Sequence, residues 1–444
     1  MKIFKHYDKG VWILLATIYK AIYGIFFTVW LMTQLPAKEW AAFILVQTTF
    51  ILISQFSLAF GMSPYIKFYS GKAAHIGLQS NSLLMTIGFA LPILIILTLA
   101  RPQFAHWFEI ESLSTLIFFI PLTFLTSLPK VIINEIFKAK QKLKYFFFSE
   151  AAYFSGNMIL VGILASVQPL ENAIQILIPI NISYLLTSVY AVWLAKSDIL
   201  WEFKIDTFLL RKMMDFGKYS LGNFASNALF SQADLYIIGL TLNPYSVAVF
   251  SAVKLWAHGF QMYRQAVNTI IFPAFSRLHN SGRWKELRPL FEKGVFYSLI
   301  LLILMSGFLI AAADFLFTVI LQKYQQGGEY LRWYALIGLF VAWQYMGEAL
   351  LSGIGKPGKI FVTRLITGVI SLVVMASLVK LYGIAGAIAA ALFSHALIAI
   401  FIAKLVHSEI QFTFAKTLWR RHDFFELLWY LKYSLVNRKI RKTE

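Results

Sequence analysis

Apolar residues run along this chain in long unbroken blocks separated by short polar turns. The first, VWILLATIYKAIYGIFFTVWL at 11–31, is representative. About 20 such residues in a row suffice for an α-helix to cross the roughly 30 Å hydrocarbon core of a bilayer. Barrel strands would instead alternate apolar and polar positions over about ten residues. Twelve blocks can be drawn, at about 11–31, 41–60, 82–100, 113–134, 147–167, 174–195, 219–240, 247–271, 295–316, 331–351, 362–380 and 384–405. The pattern predicts an all-α polytopic membrane protein with twelve transmembrane helices. Prolines at 92, 121, 129, 179 and 273 fall in or beside these spans. They are tolerated where neighbouring helices satisfy the freed carbonyls.

Composition agrees. Of 444 residues 59% are hydrophobic and only 14% charged, too little polar surface for a soluble protein of this length. There is no cysteine, which excludes disulfides and thiolate metal sites. The first block is too long for a signal peptide and no small-residue cleavage site follows it, so it is expected to remain as the first span.

The formal net charge of +19 would suggest nucleic acid in a soluble chain. Its distribution says otherwise. Thirty-one Lys and Arg residues fall on one face, in the N-terminus, the even-to-odd loops and the C-terminal tail, against five on the other: Lys38, Arg101, Lys323, Arg332 and Lys380. The positive-inside rule then puts both termini in the cytoplasm. The basic face is expected to meet anionic membrane lipids, and no nucleic-acid partner is expected.

The two halves resemble each other. The outer turn LPAKEWAAF (35–43) matches LNPYSVAVF (242–250), and the basic inner loop KAKQKLKYF (138–146) matches SGIGKPGKI (352–360). Both pairs are separated by about half the chain. The expected organisation is an N-terminal six-helix lobe over 1–200, a cytoplasmic linker over 201–218 forming a short surface helix, a C-terminal six-helix lobe over 219–406, and a basic aromatic tail over 407–444. Two pseudo-symmetric lobes around a central cavity is a transporter architecture.

Charged and amide side chains inside the spans carry the candidate chemistry. On a straight helix Lys254, His258, Gln261 and Gln265 share one face and Arg264 flanks it. Asn223, Asn227 and Asp234 share a narrow face of the seventh span, and Lys20 sits mid-helix beside Thr17 and Gly24. A charge at the centre of a membrane helix costs on the order of 3 kcal/mol on insertion scales. One reading is structural: Asp234 neutralises Lys254, and Arg264 snorkels to the inner head groups. The other is a hydrated cationic cavity lined by Lys20, Lys254 and Arg264 with His258, Asn223, Asn227, Asp234 and Gln261. A second group, Glu150, Glu348 and Arg364, is expected near the inner face. Glu150 and Arg364 each follow a repeat-related lysine (Lys142 and Lys356) by eight residues. Pairing among these three would gate the cavity; an ordinary interface salt bridge is the alternative.

Other motifs are absent. There is no DxD, Walker A or HExxH, and the remaining histidines show no ligand spacing. The tail, with Trp419, Phe424, Phe425, Trp429 and Tyr430 among Arg420, Arg421, Lys432 and Arg438, reads as an interfacial helix on the inner leaflet. A helix binding another polysaccharide-assembly protein is the alternative.

SLGNFASNALFSQADLYIIGLTLNPYSVAVFSA (220–252), followed by FPAFSRL (272–278), resembles the start of the second half of the Wzx-type lipid-linked oligosaccharide flippases of the multidrug/oligosaccharidyl-lipid/polysaccharide (MOP) superfamily. FGMSPYIKFYS and FKAKQKLKYF resemble that family's loops after spans two and four. The resemblance implies two six-helix lobes, a V-shaped central cavity with a cationic lumen, and an undecaprenyl-diphosphate-linked oligosaccharide as substrate, O-antigen or another surface polysaccharide repeat unit. It implies a bacterial cytoplasmic (inner) membrane and a transporter rather than an enzyme. No cofactor is expected, apart from coupling to a proton or sodium gradient. A drug/cation antiporter of the same superfamily would favour an acidic cavity. A glycan polymerase or ligase would need extended outer loops, and those here are short.

Overall fold

The structure is a computed structural model that describes residues 4–69, 76–199 and 203–420. Arg421 to the C-terminus, including Phe424, Phe425, Trp429, Tyr430, Lys432 and Arg438, lies outside the described residues, as does His75.

The helices follow the expected spans in order. They are α1 (Phe4–Gln34), α2 (Ala37–Phe68), α3 (Ile76–Leu99), the short α4 (Arg101–Trp107), α5 (Glu111–Ala139), α6 (Leu143–Val167), α7 (Ile174–Leu194) and α8 (Thr207–Thr241). There follow α9 (Pro244–Trp256), α10 (His258–Ala266), α11 (Phe272–Asn280), α12 (Trp284–Phe315), α13 (Gly327–Tyr334), α14 (Gly338–Gly353), α15 (Pro357–Ile410) and α16 (Phe414–Leu418). Among the described residues nine helical runs are long and apolar enough to cross a membrane. One of them, α15, contains two spans. At 54 residues it would be roughly 80 Å long if straight, far beyond any bilayer. It breaks at Gly383, whose φ of 60° and ψ of −137° no helix contains. The seventh span, α8, falls short because of its polar face, and the eighth falls short because it is broken into α9, α10 and α11. With these, twelve spans are accounted for.

Two features depart from expectation. The linker does not form a separate surface helix: residues 207–218 are the first turns of α8, capped by Asp206, whose carboxylate accepts from the Leu209 amide at 2.9 Å. The eighth span is not straight either. Ala257 interrupts it, and a π-helical turn at Val267–Ile271 precedes Pro273. Proline lacks an N–H and crowds the carbonyl four residues back, and the wider π turn accommodates it.

The chain forms two compact units. The first comprises Met1–Leu255 with Phe315–Gly327 and Val379–Ile384; the second comprises Trp256–Asp314, Gly328–Leu378 and Ala385–Glu444. In the first, α2 packs on α3, α5 and α8, α5 on α7, and α6 on α1 and α7. Trp40, almost fully buried, donates its indole N–H to Ser251 at 2.9 Å. The Lys323 ammonium caps the end of α1, donating to the carbonyls of Thr33, Gln34 and Leu35 at 2.6, 3.3 and 3.2 Å, where a cation meets the negative end of the helix dipole. In the second unit α10 and α11 pack on α14. There the segment after α15 folds back. Buried Glu292 accepts from the Thr413 amide (2.8 Å), Arg288 (3.0 Å) and Arg420 (3.3 Å), and Phe414 stacks on Trp343 at 5.6 Å. The described start of the tail is thus docked on its own unit.

The internal repeat extends to hydrogen bonds. After α5, Lys142 N donates to Phe137 O (2.8 Å) and Gln141 N to Lys138 O (3.1 Å), with Gln141 at φ 54°. After α14, Lys356 N donates to Leu351 O (2.8 Å) and Gly355 N to Ser352 O (3.1 Å), with Gly355 at φ 78°. The turns are the same left-handed cap, 214 positions apart. Each basic loop is clamped by an acid at the end of the half's last span. Lys140 and Lys142 hold Asp198 at 3.1 and 2.7 Å. Lys356 and Lys359 hold Glu409, the latter at 2.7 Å.

Candidate functional site

Three groups of charged side chains lie in the spans. The first joins α8 and α9. Lys254 donates to both carboxylate oxygens of Asp234, at 2.9 and 2.8 Å, and Asp234 also accepts from the Leu235 amide at 2.8 Å. The pair is partly exposed, with 23% of the lysine side chain and 13% of the aspartate accessible. It forms because the two helices make an antiparallel hairpin about the turn at 242–243 and both residues lie within three turns of it. On α8, the Asn227 amide donates to Asn223 O at 3.0 Å, and Asn223 is exposed.

The second group joins α5 and α6 by the same hairpin logic. Glu150 accepts from the Lys130 ammonium and the Asn134 amide, both at 2.6 Å. Lys130 is 4% exposed, and its charge lies 4.5 Å from the centre of the Tyr153 ring, which stacks on Tyr184 at 4.1 Å. Exposed Lys20 on α1 acts electrostatically on both members of the pair. Nearby, α1 is fixed to α6 by Tyr19 with Ser155 (2.6 Å) and by Asn157 donating to Tyr23 (2.5 Å).

The third group lies in the second unit. Arg364 grips Glu348 through two parallel bonds, Nε to Oε1 at 3.0 Å and a terminal nitrogen to Oε2 at 2.5 Å, and both residues are buried. This is the bidentate geometry that makes arginine–carboxylate pairs strong. Arg264 on α10 stands 5.4 Å from the centre of the Tyr345 ring. Its neighbours His258 and Gln261 are exposed.

The three residues expected to pair with one another instead form two separate ion pairs, Glu348 with Arg364 in one unit and Glu150 with Lys130 in the other. Lys130, not singled out as a partner from sequence, takes the role expected of Arg364 toward Glu150. The helix carrying the stripe from Lys254 to Arg264 is not continuous: it is interrupted at Ala257, and Lys254 falls in the first unit while His258, Gln261 and Arg264 fall in the second. In the first unit Lys130 is matched by Glu150 and Lys254 by Asp234, and in the second Arg364 is matched by Glu348. Lys254 is not in surplus, since Asp234 matches it.

The sequence profile of the family described as polysaccharide biosynthesis protein matches residues 43–327. The chain belongs to that family. An uncharacterized membrane protein of Methanocaldococcus jannaschii is 24% identical over 220 residues, 48% of this chain but only 42% of that relative's length. Among solved structures, the lipid II flippase MurJ in an inward closed conformation aligns with a TM-score of 0.72, at 14% identity, over 91% of this chain and 89% of that one. An inward-facing multidrug resistance MATE family transporter of the MOP superfamily aligns at 0.70, with 14% identity, over 89% and 94%. This family member thus has the fold of the twelve-helix MOP transporters and is a multi-pass membrane protein.

Proposed function

We propose that the chain is a flippase that moves an undecaprenyl-diphosphate-linked oligosaccharide, such as an O-antigen or other surface polysaccharide repeat unit, across the bacterial cytoplasmic (inner) membrane by alternating access, with both termini cytoplasmic. The observation that carries this reading is the presence of accessible cations on the spans of a polysaccharide biosynthesis family member: Lys20 is exposed on α1, and the Lys254–Asp234 pair is partly exposed. A cation facing hydrated space escapes much of the desolvation penalty and offers a favourable field to a passing anion. A diphosphate fits that field, with exposed Lys20 on α1 offering its charge. The likeness to a lipid II flippase supports a lipid-linked substrate. A drug/cation antiporter would need the opposite charge, and a polymerase or ligase a reactive outer-face cluster. No chemical step is assigned to any residue, and coupling to a proton or sodium gradient is part of the proposal. Deleting the gene should make lipid-linked intermediate accumulate on the inner leaflet. Its normal appearance on the outer leaflet would refute the reading.

A further inference from the structure

The first turns of α8 are a continuous part of the seventh span. Residues 207–218 weld one face to the first unit: Met213 is fully buried against Leu209, Leu210 and the α2 and α3 side chains, and at Gly217 a Cβ would come within 2.7 Å of the Phe60 carbonyl. The other face is open. Phe208 and Tyr219 are 70% and 78% exposed, and Lys212 is exposed between them.

Spacing makes this face one track. Phe208, Lys212, Tyr219, Asn223, Asn227 and Asp234 recur at intervals of 4, 7, 4, 4 and 7, which keeps them within about 100° on a helix. The track runs from the basic end of α8 up to the Asp234–Lys254 pair. At its lower end two cations lie over aromatic rings. Lys212 is 4.2 Å from the Phe208 centroid, and Lys67, from the end of α2, is 3.9 Å from that of Phe216. The extension's own acid, Asp215, is already paired with Lys218 at 2.8 Å.

We infer that the inner extension of α8, with Lys67, is a capture surface for the diphosphate head group of a polyprenyl-linked lipid in the inner leaflet, an inference that rests on the flippase reading. Cations at head-group depth attract the phosphates. Exposed aromatics seat at the membrane interface. Tyr219, Asn223 and Asn227 continue the surface upward with groups that hydrogen-bond sugar hydroxyls. That continuation favours the carrier lipid over bulk anionic phospholipid, which needs no amides above the head-group layer.

The test uses the full chain in phosphatidylethanolamine nanodiscs, titrated with undecaprenyl diphosphate and read by thermophoresis. Each removed cation should weaken binding about fivefold, so the double variant Lys67→Gln, Lys212→Gln should lose roughly 25-fold by the same reasoning. Tyr219→Ala, whose role is toward the glycan, should bind this sugar-free lipid as wild type does, and so should Lys285→Gln, an exposed control elsewhere. Replacing part of the lipid with phosphatidylglycerol should leave the wild-type affinity within about twofold by the same arithmetic. Wild-type affinity in the double variant overturns the capture surface alone, and so does full competition by phosphatidylglycerol, which would mark a bulk-lipid surface. If the wild type binds no undecaprenyl diphosphate in any membrane, the flippase reading fails and the capture surface with it.

Discussion

At the scale of residues, Lys254 has two roles to separate. Lys254→Ala leaves Asp234 unpaired in a low-dielectric setting, and removing one member of a buried pair costs about 3–5 kcal/mol. This pair is partly accessible, so about 2 kcal/mol is expected. Asp234→Asn combined with Lys254→Ala should recover most of that loss. Thermal unfolding of the three variants measures the coupling. Strict additivity would show that the contact carries no stability. If the stable double variant also exports glycan as wild type does, Lys254 is structural, and the cationic role falls to Lys20 and Arg264.

At the scale of elements, charges at similar distances from a helical turn meet across a hairpin. Asp234 and Lys254 were legible in this way from sequence alone. The same reasoning applies to Lys130 and Glu150 about the turn at 140–142: Glu150 meets its hairpin neighbour and not its repeat equivalent Arg364. The break at Ala257 had no sequence signal, since alanine favours helix; tertiary packing overrides propensity there. The join at Gly383 was legible as a turn between spans. Gly383→Ala should cost about 1–3 kcal/mol, because a Cβ is strained at φ 60° and ψ −137°, read as a lowered melting temperature. An unchanged one would mean that the turn relaxes.

The clamp at the end of α15 predicts a pH dependence. Hydrogen bonds from Lys356, then Lys359, hold the Glu409 carboxyl below its ordinary value of 4.5. A carboxyl depressed in the folded state contributes stability that is fully present above that ordinary value and is lost as pH falls below it. Glu409→Gln should therefore flatten the acid limb of the stability profile below about pH 4.5. An unchanged acid limb would remove the clamp from the account.

For the whole molecule, the split of basic residues predicts topology. In this cysteine-free chain, Asn280→Cys should be protected from an impermeant maleimide in intact cells and Lys38→Cys should react. The reverse pattern would invert the orientation.

The central proposal is movement of a lipid-linked saccharide along a path lined by intramembrane cations. Its most direct measurement is flipping of a polyprenyl-diphosphate oligosaccharide in proteoliposomes, followed by lectin access to the outer leaflet. The wild type should expose the glycan. Lys20→Ala and Arg264→Ala, made at equal abundance, should slow exposure about tenfold or more, as follows from losing roughly 1.4 kcal/mol of attraction. Lys20→Arg and Arg264→Lys should retain much of the rate, because charge rather than shape is used. Wild-type rates in both alanine variants, or no exposure by the wild type, would contradict it.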